Sequence, residues 1–131
     1  METKSLYERL GGVIKIAEIV DNLVERACMD PVIQANPTME EANKRFPKPV
    51  TKFQVTLLVC EATGGPYTYV GRTLKESHKH LHITQREWEA FVADVAASLD
   101  ICNVPQREKD ELLAIVESTK DDCIADEYLT K

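Results

Sequence analysis

The chain has 131 residues, 44% of them hydrophobic and 29% charged, and a formal net charge of −6. That length suits one domain able to withdraw roughly two thirds of its unfolded surface from water, and the acidic balance disfavours nucleic acid and anionic membranes, which require clustered Lys and Arg. No apolar run approaches the roughly 20 residues that span a bilayer, and no signal-peptide core precedes the first amphipathic stretch, so a cytoplasmic protein is expected.

Residues 5–10 read as a short helix anchored by Leu6, Tyr7 and Leu10, ended by Gly11-Gly12. Over residues 13–28 the apolar positions Ile16, Ile19, Val20, Leu23, Val24 and Ala27 recur at helical spacing, with Lys15, Glu18, Asn22 and Glu25 opposite. Asp30-Pro31 closes this first long helix. Residues 31–49 are punctuated by Asn36-Pro37 and by Phe46-Pro47-Lys48-Pro49, with one or two helical turns over 39–45. Helix resumes over 50–62 and is apolar nearly all round from Phe53 onward. Its β-branched residues Val50, Thr51, Val55, Thr56 and Val59 also permit a strand, but length and the Gly64-Gly65 stop favour helix.

After Gly71 a short helix fits residues 72–81, with Leu74, His78 and Leu81 on one face. Thr84-Gln85-Arg86-Glu87 reads as a capping box that opens a long helix carrying Trp88, Phe91, Val92, Val95, Leu99 and Cys102. Pro105 starts the last helix, striped by Leu112, Leu113, Ile115, Val116 and Cys123. The expected class is all-α: one domain over 1–131, with a core of about 5–122 and a tail that frays from 123.

Two features bear on chemistry. Cys28, Cys60, Cys102 and Cys123 are far apart with no C-x-x-C pair, so free buried thiols are expected rather than a zinc site. All three histidines, His78, His80 and His82, fall within five residues. A neutral imidazole between apolar neighbours suits an iron ligand in a hydrophobic wall. Spacing alone does not separate His78 from His82. The capping box does, because it ends the short helix near Leu81 and leaves His82 in a turn. Without further information His78 is as readily a core or solvent-facing histidine, and the three histidines on an extended backbone would chelate zinc or nickel only adventitiously.

Three stretches carry a family likeness. Leu6-Tyr7-Glu8-Arg9-Leu10-Gly11-Gly12, Cys60-Glu61-Ala62-Thr63-Gly64-Gly65-Pro66 and Tyr69-Val70-Gly71-Arg72-Thr73-Leu74-Lys75-Glu76-Ser77-His78 resemble, in order, the opening, the end of the distal helix and the proximal run of group I truncated haemoglobins. The likeness covers about residues 5–120 and is interrupted over 31–50. It implies a two-over-two helical sandwich around haem b, with iron held by His78 through Nε2 and its Nδ1–H aimed at a carbonyl near Leu74. Leu74, Leu81 and Ile83 would pack the proximal side, and Trp88 and Phe91 would line the haem from the next helix. Val55 and Leu58 would face it from the distal helix, with Phe53 and Tyr69 nearby, and Arg72 and Lys75 would reach the propionates. Trp88 and Phe91 are equally ordinary core, and Arg72 and Lys75 equally solvated.

The chain also departs from the pattern. The family's distal Phe-Tyr pair falls on Leu23 and Val24, and its polar distal-helix position falls on Val55. Thr51 and Gln54 are then the polar candidates of a distal pocket formed by Val24, Thr51, Gln54 and Val55. The aromatic wedge of the first corner falls around Asn36 and Pro37, and Phe46 substitutes for it only if the longer loop folds over. Lys44, Lys48 or Lys52 is a candidate sixth ligand. The likeness therefore implies reversible binding of O2, CO or NO by a monomer or weak homodimer. The alternatives are an NO dioxygenase or peroxidase-like enzyme served by a separate reductase, since no flavin or nicotinamide fingerprint is present, and a helical sensor with weakened haem binding.

Overall fold

The computed structural model describes residues 4–71, 73–78 and 81–124. Those residues form helices α1 (Leu6–Leu10), α2 (Gly12–Met29), α3 (Pro31–Gln34), α4 (Met39–Arg45), α5 (Lys48–Ala62), α6 (Leu74–His78), α7 (Gln85–Ile101), α8 (Gln106–Glu117) and α9 (Lys120–Cys123). The four long helices pair as α2 with α5 and α7 with α8, and α2 lies against α7 so that the pairs stack.

Local chemistry explains most boundaries. Ser5 and Glu8 close a capping box at α1, and Gly11, at φ 109°, takes the left-handed conformation that turns the chain into α2. The buried side of α2 is the expected stripe of Ile16, Ile19, Val20, Leu23 and Val24. Residues 50–62 are helical, and α5 begins two residues earlier than Val50, with Pro49 accommodated in its first turn where no amide donor is missed. The threonines that permitted a strand reading are satisfied locally, Thr56 donating its hydroxyl to the Lys52 carbonyl at 2.7 Å and Thr51 to the Phe46 carbonyl at 3.2 Å.

Three differences from the sequence expectation stand out. First, α3 is an extra turn with Asp30 as its cap and Pro31 at its start. Second, α6 spans Leu74–His78, with Thr73 and Leu81 outside it, while Arg72, Lys79 and His80 of the expected 72–81 lie outside the described residues. Third, the last helix breaks at Ser118 and Thr119, so Cys123 belongs to the separate turn α9. The Thr84–Glu87 capping box is present, and His82 lies in the preceding turn with φ 51°.

The core has two parts. The larger joins α1, α2, α5, α7 and α8 around Ile16, Val20, Cys60 and Leu99. Burial at 0% exposure of Ile16 and Leu99 contributes about 1.5–3 kcal/mol each. The smaller centres on Trp88, Cys123 and Ile124, with Leu74, Ile83, Phe91, Val92 and Val116 packed against it. It lies beside α6.

Candidate functional site

Thr73 starts α6 by accepting a hydrogen bond from the Glu76 amide at 3.2 Å. One turn later, His78 Nδ1 sits 2.8 Å from the Leu74 carbonyl oxygen. A carbonyl only accepts, so Nδ1 carries the proton and the lone pair of the neutral ring resides on Nε2. Burial pushes the imidazole pKa below its ordinary value, and the Leu74 bond opposes this less strongly. At neutral pH the ring is therefore in the form that ligates metals. Leu74 packs into the smaller core, where the Trp88 and Phe91 rings lie 5.8 Å apart at 42°. Trp88 is 3% exposed, and its Nε1 has no hydrogen-bond partner.

Past α6 the chain is held from outside. The Leu81 amide donates to the His78 carbonyl at 3.0 Å, and the Leu81 carbonyl accepts from Asn36 Nδ2 at 2.7 Å and Thr38 Oγ1 at 3.0 Å. Asn36 Nδ2 also reaches Glu87 Oε2 at 2.7 Å. A polar clamp thus occupies the corner where the family likeness leads one to expect an aromatic wedge. It is invisible to hydrophobic periodicity, because its information lies in one buried asparagine. A surface groove of about 590 Å³ borders the same corner, lined by Pro31, Val32, Ala35, Pro37, His82 and Arg86 among others.

On the other side, α2, α4 and α5 enclose a cavity of about 380 Å³ lined by Val24, Cys28, Asn43, Phe46, Lys48 and Thr51. Cys28 and Asn43 were not anticipated there. Val24 is 8% exposed and part of the larger core, so that position of α2 offers no donor. Thr51 donates its hydroxyl to the Phe46 carbonyl at 3.2 Å, which brings the loop residue against α5. Gln54 Oε1 is buried without a partner. Val55 and Leu58 are half-buried, as is Tyr69, whereas Phe53 is 62% exposed and Phe46 44% exposed. Arg72 lies outside the described residues, as does the Lys75 side chain.

Lys48 and Lys52 are engaged in ion pairs. Lys48 pairs with Glu25 at 2.9 Å, and Lys52 bridges Asp21 at 2.7 Å and Glu25 at 2.8 Å. These pairs raise both lysine pKa values and hold Glu25 well below the usual carboxylate range, at about 2. They fasten α5 to α2. All four cysteines are free thiols, three of them buried. Among the described residues no three His, Cys, Asp or Glu side chains converge on a possible metal position, and no helix is long and apolar enough to cross a membrane.

A profile of the bacterial-like globins matches residues 5–125. The chain belongs to the bacterial-like globin family, as a group I truncated haemoglobin. It is 27% identical to a group 1 truncated haemoglobin of Mycolicibacterium paratuberculosis over 88% of this chain and 80% of that protein. A group 1 truncated haemoglobin of Tetrahymena thermophila is 24% identical over 92% of this chain and 94% of its own. The crystal structure of the Tetrahymena pyriformis truncated haemoglobin, Fe(III) form, superposes with a TM-score of 0.82 at 22% identity, covering 93% of this chain and 99% of that one. This truncated haemoglobin is thus all-α with the two-over-two fold, and its family is one of haem-binding globins. The residues beside α6 fit such a group: one neutral imidazole of fixed tautomer, an apolar wall, and a buried indole nitrogen, on Trp88, that lacks a partner.

Proposed function

We propose that this truncated haemoglobin binds a diatomic gas reversibly at the iron of haem b, with His78 as the proximal ligand. The observation that carries the reading is the 2.8 Å contact from His78 Nδ1 to the Leu74 carbonyl. It fixes the tautomer, sets the ring plane and directs Nε2 away from the backbone of α6. A single imidazole suits a metal whose other donors arrive with it. Haem held by His78 would supply the iron that takes O2, CO or NO.

The chain's own residues then divide the work. Leu74, Leu81, Ile83, Trp88 and Phe91 exclude water on the His78 side, which favours the neutral imidazole. Val55, Leu58 and Phe53 on α5, with Tyr69 and Phe46, close the opposite side, and Arg72 and Lys75 provide cations for the propionates, a weak contribution if these pairs are exposed. Val24 contributes no hydrogen bond to the gas; Thr51 and Gln54 are the polar side chains nearest that task. A donor there is worth about 1–3 kcal/mol, so O2 should leave roughly ten to a hundred times faster than from tyrosine-bearing relatives. Stopped-flow displacement by CO measures this, and an off-rate as slow as theirs argues against an apolar distal pocket. The reading includes a cytoplasmic monomer or weak homodimer and a separate reductase that keeps iron ferrous.

One absorption spectrum tests the assignment. The purified chain, or the chain mixed with haemin, should show a Soret band that His78→Gly abolishes or shifts and that external imidazole restores. His82→Ala should leave the band unchanged. A wild-type chain that takes up no haemin overturns the proposal.

A further inference from the structure

Helix α6 is five residues long, far below the roughly 12–15 that hold a helix in water unaided, so the direction in which it points His78 is set by the groups that grip it. At its start the grip is local, the Thr73 hydroxyl accepting from the Glu76 amide. Along its side, Leu74 packs into the smaller core. At its end the Leu81 amide donates to the His78 carbonyl at 3.0 Å, and His82 follows with φ 51°. A left-handed conformation is costly for a residue with a side chain, and it persists only where the surroundings hold it.

Asn36 supplies such a hold. Turning the Leu81–His82 peptide over would return His82 φ to the negative side, but it would also swing the Leu81 carbonyl away from its donors. Asn36 Nδ2 carries two hydrogens and directs one to that carbonyl at 2.7 Å and the other to Glu87 Oε2 at 2.7 Å. Both acceptors lack a hydrogen to give, so the end of the side chain facing them is the amino group. Its Oδ1 accepts from the Thr38 amide at 2.9 Å and lies 2.7 Å from Thr38 Oγ1. Every hydrogen-bonding position of the side chain is thus taken, and at 8% exposure water competes little for them. Glu87 is itself fixed by the capping box, which ties the turn after α6 to the first turn of a 17-residue helix.

We propose that Asn36 is a positioning residue for His78: by pinning the Leu81–His82 peptide in its left-handed turn, it keeps the Leu81 amide on the His78 carbonyl and the imidazole on the Leu74 carbonyl. It acts through three bonds in series, Asn36 to Leu81, Leu81 to His78 and His78 to Leu74. The role rests on the reading of His78 as the iron ligand, but two of its measurements need no haem, so the two ideas fail separately.

The experiment compares the full wild-type chain with Asn36→Ala and with Gly65→Ala, a variant weakened elsewhere, whose crowding falls on Tyr7 and the Cys60 carbonyl. In the haem-free chains at alkaline pH, nitrogen NMR of the His78 ring should show the Nδ1–H form alone in wild type and Gly65→Ala, and a mixture with the Nε2–H form in Asn36→Ala. The Leu81 amide should exchange roughly tenfold faster in Asn36→Ala than in wild type. In the haem-loaded ferrous chains, the iron–imidazole stretching band should shift or broaden in Asn36→Ala only. Glycine adopts φ 51° freely, so Asn36→Ala should have a smaller effect in a His82→Gly chain than in wild type. Should Asn36→Ala fail to fold, Thr38→Val takes its place: it removes a hydroxyl 3.0 Å from the Leu81 carbonyl and should move the same readouts in the same direction. A His78 ring and Leu81 amide that do not respond, equal changes in Gly65→Ala, or an effect undiminished in the His82→Gly chain overturns the proposal. A wild-type chain that takes up no haemin overturns the iron reading instead, and the haem-free measurements then decide whether Asn36 sets the ring.

Discussion

The ring of Tyr7 occupies the space that any side chain on Gly65 would need. A Cβ there would stand 2.5 Å from Tyr7 Cδ1 and 2.9 Å from the Cys60 carbonyl oxygen. Tyr7 cannot yield easily, since its hydroxyl accepts from the Val13 amide at 3.0 Å and its own amide donates to the Thr63 carbonyl at 2.9 Å. Gly65→Ala should therefore lower stability by about 1–3 kcal/mol, read from the urea midpoint; a variant as stable as wild type would show that the first helix is loosely seated. In the sequence Tyr7 was readable as an anchor of the first helix and Gly65 as part of a helix stop. Their physical link, a ring laid on the turn after α5, needed coordinates. His78 differs, because helical spacing and the downstream cap together isolate it from its neighbours, and its bond to Leu74 follows from the pitch of a helix.

Between elements, the joint before α7 bears two loads. Thr84 and Glu87 satisfy each other's amides, with Glu87 reaching the Thr84 amide at 3.0 Å and Thr84 accepting from the Glu87 amide at 3.2 Å. The second oxygen of Glu87 also holds Asn36. Thr84→Ala removes only half the cap and should cost about 1 kcal/mol, whereas Glu87→Ala also releases Asn36 and should cost about 2 kcal/mol or more. Equal losses in urea denaturation would mean that the clamp contributes nothing. Caps of this kind are readable because they are short and local. The long helices were readable for a similar reason: their apolar positions repeat every turn. Asn36 was not readable, because its partners lie 45 and 51 residues away and nothing nearby in the chain marks it. The extra turn α3 was within reach, since Asp30-Pro31 is a cap followed by a favourable first residue, but the pair also ends α2 and was read only in that sense.

Across the whole molecule, the first helix is tied to the last long one. Arg9 forms charge-assisted bonds to Glu108 at 3.1 Å and to both carboxylate oxygens of Glu111, closing the chain on itself around the larger core. The smaller core beside α6 has a different character: it contains the chain's one tryptophan, placed in the wall next to His78. An indole so enclosed, with no hydrogen bond at Nε1, should emit at the blue end of its range. With a porphyrin lodged against the same wall, excitation should pass to the tetrapyrrole instead, leaving the holoprotein dark under ultraviolet light. Acid extraction of the pigment should restore the glow, and a Trp88→Phe chain should then show tyrosine emission alone. With haem seated against this wall, the indole would report how much of a preparation is loaded without any added dye.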